Sequence, residues 1–403
     1  MNNLLNPALA IGCYLLAIIC AGLLLRLPTL RAVIVELDAP GRQAAIDGLR
    51  GYLAFGVFIH HLVIYYPYLE TGIFELPASN FYSQLGRASV ALFFMITGFL
   101  FWSRVLDTQG NMSWRQFLLG RLFRIYPLYL FALGCVVLIV FAEANWQLQV
   151  TGDQLTASLA KWFIFQRPDI NGYSETGDLI ANVSWTLSYE LFFYLTLPCW
   201  SLIFISRGRW MKLALSLLFI YALYKMMGAS SVLKHSVLLS FLGGVSAAYW
   251  IRNEKCRNWA QGKTAATVAL MALAIVMLGW NTSFALMPLL LLTLFFCVVA
   301  SGNMLFGALR FPSIRWLGEI SYSTYLLHGL VLWLGLVYLP SLLSIDARSP
   351  LYWAAFTIIG SLSVIVMSSV SYLVIERPGV NAGRRMKARL TVPDQSAPAS
   401  QPR

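Results

Sequence analysis

Residues 46–66 read IDGLRGYLAFGVFIHHLVIYY, an apolar run long enough to cross a bilayer as one helix. Arg50 lies near its start and His61 near its end, eleven positions later. Eleven steps of about 100° return to within about 20° of the same helical face, and the axial separation is about 16 Å. We therefore expect both residues on one polar stripe, with Arg50 near one membrane surface and His61 in the opposite half.

Each of these residues also has a structural interpretation. Arg50 would serve as an interface anchor, and His61 as a packed, hydrogen-bonded core residue. The shared stripe, and the ordinary titration of histidine near neutral pH, favour a functional role.

The composition is that of an integral membrane protein. Of 403 residues, 59% are hydrophobic and only 11% are charged, and the mean hydropathy is +0.69. A soluble domain carries roughly a quarter of its residues as charged side chains, so the composition excludes a soluble protein. The six cysteines follow neither a metal-ligand nor a disulfide spacing, and we expect them to be apolar core residues and no metal to bind.

Apolar windows predict an all-α, polytopic transmembrane helix bundle of about 11 spans. The predicted spans are 8–27, 46–66, 86–103, 122–142, 184–206, 212–228, 235–251, 264–280, 284–300, 317–339 and 351–375.

The basic residues predict the orientation of the bundle. If residues 28–45 are cytoplasmic, 23 of the 29 Lys and Arg residues fall on that side, counting nearby helix ends. Cytoplasmic loops are the segments that collect positive charge, so the N-terminus is expected outside and the C-terminus inside. The net charge of +12 then reflects orientation, and we expect no nucleic acid as a partner.

A buried carboxylate is predicted in the fifth span. Glu190 lies about two turns below its external end, and Tyr194 follows one turn later on the same face. A carboxylate at this depth needs a partner or a proton. His61 is the expected partner, and a structural Glu–Arg or Glu–Tyr pair is the alternative.

The tenth span carries a second polar stripe, because Ser321, Tyr325 and His328 follow i, i+4, i+7 spacing. On the cytoplasmic side, Arg121 and Arg124 are one turn apart. Positive-inside statistics account for such a pair, and guanidinium groups are also suited to phosphate oxygens.

The external loop 143–183 combines acidic and aromatic residues, a composition that suits a hydroxyl-rich ligand such as a sugar or, equally, a solvated connector. The run 159–165 is too short to cross and is expected at the interface. The tail 391–403 is rich in Pro, Ser, Ala and Gln, which predicts disorder.

Taken in order, these motifs resemble those of the acyltransferase-3 family of bacterial integral-membrane acyltransferases. The resemblance covers about 46–379. The sequence departs from the family pattern in two ways. It has a second histidine, His60, which could mask a substitution of His61, and it has an extra span before Asp47. The segments that carry the resemblance are 47–51 with the run to His61, 89–100, 121–127, 184–194, 321–328 and 376–378.

The resemblance implies a domain division and a cellular location. Residues 1–45 would form an extra N-terminal transmembrane helix and a cytoplasmic linker, 46–380 a membrane acyltransferase core of ten helices, and 381–403 a disordered cytoplasmic tail. The protein would lie in the bacterial inner membrane.

The resemblance also implies an activity, the transfer of an acyl group, usually acetyl, from cytosolic acyl-CoA to a hydroxyl of an extracytoplasmic glycan or lipid-linked saccharide. Acetyl-CoA would be the donor, bound by Arg50, Arg121 and Arg124. His61 would act as general base or as an acyl-carrying nucleophile, and Glu190 would orient it. The expected oxyanion donors are Tyr194, Ser321, Tyr325 or His328.

A proton-coupled secondary transporter is the alternative function, because buried His and Glu residues also relay protons. Such transporters often contain paired broken helices in two corresponding halves, and the sequence shows no clear inverted repeat.

Overall fold

A computed structural model describes residues 6–37, 43–205, 210–228 and 233–391. Within these ranges the chain is almost entirely helical, and its one β-interaction is an isolated bridge between Ile170 and Tyr173. This confirms the predicted all-α class.

Seventeen α-helices follow one another along the described chain. The first nine are α1 (Pro7–Leu24), α2 (Pro28–Leu37), α3 (Ala44–Thr71), α4 (Asn80–Asp107), α5 (Trp114–Glu143), α6 (Gly152–Trp162), α7 (Trp185–Phe204), α8 (Trp210–Gly228) and α9 (His235–Trp250). The others are α10 (Glu254–Ala260), α11 (Lys263–Gly279), α12 (Leu286–Ala300), α13 (Pro312–Glu319), α14 (Ser321–Trp333), α15 (Leu339–Leu343), α16 (Pro350–Ser371) and α17 (Arg377–Thr391).

Each of the eleven predicted spans coincides with a helix, but the count of eleven membrane crossings is not confirmed. Seven helices of the described chain are long and apolar enough to cross a membrane, or eight if α10 and α11, bent by 77°, form one span. The apolar helix α12 has 15 residues, fewer than the about 20 that a crossing needs. The predicted interface segment 159–165 falls on the end of α6 and the turn after it.

The centre of the bundle is packed through glycines, which let helix backbones approach closely. Gly51 of α3 faces the backbone of α13 at Ile314 and Gly318, and a side chain at Gly51 would overlap it. Gly329 of α14 meets the backbone of a 3₁₀ turn, Thr176–Ile180, in the same way. The first contact holds α3 against α13, the helix that directly precedes α14, and the second brings the long loop onto α14.

Two helices continue through π-helical turns, a feature often found at functional sites. Leu334–Tyr338 joins α14 to α15, and Tyr372–Glu376 joins α16 to α17.

The C-terminal segment differs from its predicted boundary. We expected disorder from residue 381, but α17 is helical through Thr391. Gly379 and Gly383, one turn apart, allow it to dock on α5, where a Cβ at either glycine would lie 2.7 Å from the Pro127 or Phe123 side chain. The rest of the predicted tail, 392–403, lies outside the described residues.

Candidate active site

Two histidines from different helices form a hydrogen-bonded pair, here called the histidine pair. His61 of α3 and His328 of α14 are 267 residues apart, and His328 Nε2 lies 3.0 Å from His61 Nδ1. His328 is fully buried, whereas His61 is partly exposed.

Backbone carbonyls determine which ring nitrogens carry protons. His61 Nδ1 lies 3.0 Å from the Val57 carbonyl, and His328 Nδ1 lies 3.0 Å from the Thr324 carbonyl. A carbonyl only accepts, so we assign a proton to each Nδ1. His61 Nδ1–H is then shared with the unprotonated His328 Nε2. The lone pair of His61 Nε2 is left available, as a general base requires.

His60 forms its hydrogen bond with a different helix, although its ring centroid lies 4.9 Å from that of His61. Its Nδ1 lies 2.7 Å from the Tyr82 carbonyl of α4, and its ring packs on Gly86. His60 therefore faces α4 rather than His328, and this geometry does not favour the predicted masking of a His61 substitution.

A cavity of about 700 Å³, here called the central cavity, contains most of the other predicted site residues. It is lined by Arg50, Arg121, Arg124, Glu190, Tyr194, Ser321 and Tyr325, together with Glu319, Tyr322, Tyr372, Thr186 and four residues of α17, Arg377, Val380, Asn381 and Arg384. The sequence identified the first seven of these residues. The histidine pair lies outside this lining.

The predicted pairing of Glu190 with His61 is wrong. Glu190 accepts a hydrogen bond of 2.7 Å from the Tyr194 hydroxyl, and its positive neighbours are Arg121, Arg50 and Arg124. The alternative that the sequence left open, a Glu–Tyr and Glu–Arg arrangement, is the one observed. Glu190 therefore balances the arginines of the cavity, and His328 orients His61.

The predicted polar stripe of α14 connects the cavity with the histidine pair. Ser321 and Tyr325 line the cavity, and the Tyr325 ring centroid lies 6.3 Å from that of His328, one turn further on. The Tyr325 hydroxyl also lies 3.0 Å from Thr186 Oγ1 at the start of α7. A ligand extending along α14 would thus pass from the arginines toward the histidines.

A buried ion pair behind the cavity wall was not anticipated. Arg124 Nη1 lies 2.7 Å from Glu376 Oε1, and Ser323 donates a 2.7 Å hydrogen bond to Glu376 Oε2. From the sequence, Glu376 was identified only within the segment 376–378 of the family resemblance. Its position at the end of an apolar span was the available signal, since a carboxylate there requires a partner.

The long loop, residues 143–183, packs on α14 next to the histidine pair. Its 3₁₀ turn packs on Gly329, next to His328, and the Tyr65 hydroxyl donates to the Asp178 carbonyl at 3.3 Å. Burial, together with the neighbouring Glu175, raises the pKa of the Asp178 carboxyl to about 6. Phe74, which follows α3, stacks on His61 at 5.9 Å.

Among the described residues, no group of three or more His, Cys, Asp or Glu residues is arranged to hold a metal ion.

The described helices, seven or eight of which are long and apolar enough to cross a membrane, enclose a charged central cavity beside a histidine pair. The family model described as an acyltransferase domain matches residues 43–372. The chain therefore belongs to the acyltransferase-3 family and is an acyltransferase. This membership favours the enzyme over the transporter that the sequence left open.

Comparison with characterised proteins identifies relatives with glycan-related names. The chain is 26% identical over 313 residues to the exopolysaccharide production protein ExoZ of Rhizobium meliloti (strain 1021), an alignment that covers 74% of this chain and 91% of ExoZ. It is 24% identical over 379 residues to the putative peptidoglycan O-acetyltransferase YrhL of Bacillus subtilis (strain 168), covering 85% of this chain and 56% of YrhL.

A third relative is the acyltransferase MdmB of Streptomyces mycarofaciens, 28% identical over 165 residues, which are 40% of this chain and 39% of MdmB. The comparison with solved structures found no match.

Proposed function

We propose that this acyltransferase moves an acyl group, acetyl in the simplest case, from acyl-CoA in the central cavity to a hydroxyl group of an extracytoplasmic saccharide. The observation that carries the proposal is that α14 contributes side chains both to the cavity and to the histidine pair. Ser321 and Tyr325 lie in the cavity, and His328 of the same helix hydrogen-bonds His61.

The cavity suits an acyl-CoA donor in size and chemistry. A volume of about 700 Å³ is within the usual range for sites that bind small molecules and cofactors. Arg50, Arg121 and Arg124 supply positive charge. Two buried polar atoms of its lining, Ser321 Oγ and Arg121 Nε, have no hydrogen-bond partner within the described residues, and a bound thioester and its amide-containing arm would satisfy them.

The transfer step follows from the assigned protons. His61 Nε2 removes the proton of the acceptor hydroxyl as its oxygen attacks the thioester carbonyl carbon, and the C–O bond forms. Collapse of the tetrahedral intermediate breaks the C–S bond, and the thiolate takes the proton back from His61. His328 stabilises the transient imidazolium by accepting from His61 Nδ1–H. Tyr325 or Ser321 would donate to the oxyanion.

A relay through His61 is the second route. His61 Nε2 would itself attack the thioester carbonyl carbon, and the C–S bond would break as the CoA thiolate leaves. The acceptor oxygen would then attack the acyl carbon, the C–N bond to His61 would break, and the acceptor proton would pass to the thiolate. The partial exposure of His61 beside the loop supports this route, because the acyl group would then be presented on the loop side.

The acceptor is proposed to be a saccharide bound beside the long loop. Two observations support this choice: the packing of the loop's 3₁₀ turn on Gly329, next to His328, and the names of ExoZ and YrhL, which refer to an exopolysaccharide and to peptidoglycan. The positive-inside distribution supports a cytoplasmic location for α17 and an external one for the loop, in the bacterial inner membrane.

The test compares two neighbouring histidines. Purified protein in lipid nanodiscs is given radiolabelled acetyl-CoA and oligosaccharides of a bacterial exopolysaccharide, and both acetylated sugar and free CoA thiol are measured. His61→Gln should reduce transfer by about 10²- to 10⁴-fold, the usual contribution of a general base.

His60→Gln is the matched control, and it should retain most of the activity because His60 faces α4. Undiminished transfer by a variant that lacks both histidines would contradict the proposal. A radiolabelled acyl-histidine recovered after donor alone is added would select the relay route.

A further inference from the structure

The charges of the central cavity are divided between its interior and its outer end. The interior contains three guanidinium groups, those of Arg50, Arg121 and Arg124. Three carboxylates lie in its wall or directly behind it: Glu190, Glu319 and Glu376. Arg124 is committed to Glu376 at 2.7 Å, and Arg121 and Arg50 neighbour Glu190. By this count the interior is electrically balanced.

The outer end is instead positive, because α17 supplies it. Arg377, Val380, Asn381 and Arg384 all line the cavity, and their spacing places them on one stripe of α17. Lys387 continues this side of the helix, with its ammonium group against Gly120 of α5.

Like charges are concentrated at this outer end. Arg384, Arg104 and Arg121 all lie within electrostatic range of Lys387 and repel it. Positive charges held this close together attract anions. We call Arg104, Arg384 and Lys387 the outer basic cluster.

The backbone of α17 is held in position against α5. The docking of Gly379 and Gly383 on Pro127 and Phe123 leaves no room for α17 to slide along α5. Helix α17, which places Arg384 in the cavity lining and Lys387 about one turn further on, is thus fixed in position.

We propose that the outer basic cluster binds the phosphate groups of the acyl donor, while the balanced interior receives the uncharged arm and the thioester. This inference rests on the proposed function and changes one part of the sequence-based expectation. Arg124 acts through its ion pair as a positioning residue for the cavity wall, and α17 provides phosphate recognition. An acyl-CoA has this polarity, with a polyanionic nucleotide at one end and an uncharged thioester at the other.

The experiment compares donors that differ in their phosphates. Acetyl-CoA carries the full set, 3′-dephospho-acetyl-CoA lacks one phosphate, and S-acetylpantetheine has none. For Arg384→Gln/Lys387→Gln in phosphatidylcholine nanodiscs, we expect the KM for acetyl-CoA to rise at least tenfold with kcat within twofold. The kinetic constants for S-acetylpantetheine should be unchanged, and the dephospho donor should give an intermediate rise in KM.

A matched control removes two charges from the same helix outside the stripe. Arg385→Gln/Arg389→Gln should leave all three KM values within twofold, since both side chains are exposed and lie outside the cavity lining. The single substitution Arg384→Lys should keep the KM for acetyl-CoA close to the wild-type value, because the lysine retains the positive charge.

The possible failures are distinguishable. Equal effects of Arg384→Gln/Lys387→Gln on acetyl-CoA and S-acetylpantetheine, or no effect on either, would overturn the phosphate assignment while leaving the transfer activity established. An effect that occurs only in nanodiscs with phosphatidylglycerol would overturn it in favour of lipid headgroup binding. Wild-type protein that transfers acetyl from none of the three donors would overturn the proposed function itself.

Discussion

His328 has no exposed surface, yet both of its ring nitrogens are hydrogen-bonded, one to its own helix and one to His61. A buried polar group is retained most readily when its bonds are satisfied, and this one also orients the ring of a partly exposed neighbour. His328 is therefore a positioning residue for His61.

Replacement of His328 by Gln should lower kcat about tenfold to a hundredfold, which corresponds to the loss of one charge-assisted hydrogen bond of about 1.5–3 kcal/mol. KM for acetyl-CoA should change little, because His328 lies outside the cavity lining. The pH profile of kcat, measured over pH 5–9, should also differ from that of the wild type, because His328 no longer accepts the hydrogen bond from His61. A change in thermal stability with an unaltered kcat and pH profile would indicate a purely structural residue.

The ion pair between Arg124 and Glu376 gives a second prediction for single residues. Glu376 is 1% exposed, so Glu376→Gln leaves a guanidinium without its countercharge and should cost about 3 kcal/mol of stability. The exposed pair of Arg348 and Glu70, at 2.8 Å, is the matched control. Glu70→Gln should cost less than about 1 kcal/mol. Unfolding in detergent compares them, and equal costs would exclude a special contribution of the buried pair.

Individual helices show which features periodicity can predict. The i, i+4, i+7 pattern correctly placed Ser321, Tyr325 and His328 on one helix, and the spacing of Arg50 and His61 matched the continuous helix α3. Periodicity describes a face of one helix but not the helix that it meets. The sequence therefore assigned His61 to Glu190, whereas the packing of α14 against α3 makes His328 the partner.

The C-terminal helix was missed for a related reason. Composition between 381 and 391 is basic and polar, which is typical of a solvated tail. The docking of α17 depends on Gly379 and Gly383, whose function is visible only when α5 is in place. Tertiary packing rather than local composition stabilises such a helix.

At the loop, the 3₁₀ turn Thr176–Ile180 should respond to pH through Asp178. Its carboxyl has a pKa of about 6 in the folded protein, above its ordinary value of 3.8. The folded state therefore binds the proton more tightly, and stability should fall as pH rises from about 4 to about 6. Glu175 contributes by repulsion, and Arg167 acts in the opposite direction.

Limited proteolysis of the loop at pH 4.5 and pH 7 measures this effect in nanodiscs. Cleavage in the wild type should be faster at pH 7 after correction for protease activity with an unstructured peptide. Asp178→Asn should remove most of the difference, because the amide does not titrate. A difference that persists unchanged in this variant would assign the pH response to another group.

The whole molecule combines a positive end with an acidic loop. The outer basic cluster, the cavity and the histidine pair follow one another from α17 toward the loop, so the proposed donor and acceptor enter from opposite ends. This arrangement suits an enzyme whose donor is cytosolic and whose acceptor is extracytoplasmic. It requires one particular orientation in the membrane.

Cysteine labelling tests that orientation. In a variant with its six native cysteines replaced, single cysteines are introduced as Gln147→Cys in the loop and Arg385→Cys on α17, two exposed positions. A membrane-impermeant maleimide should label the loop cysteine in intact spheroplasts and the α17 cysteine only after lysis, because 23 of the 29 basic residues favour the cytoplasmic side. A permeant maleimide provides the control by labelling both. The reverse pattern would invert the bundle and place the outer basic cluster where cytosolic acyl-CoA cannot reach it, which would contradict both the donor assignment and the inferred role of α17.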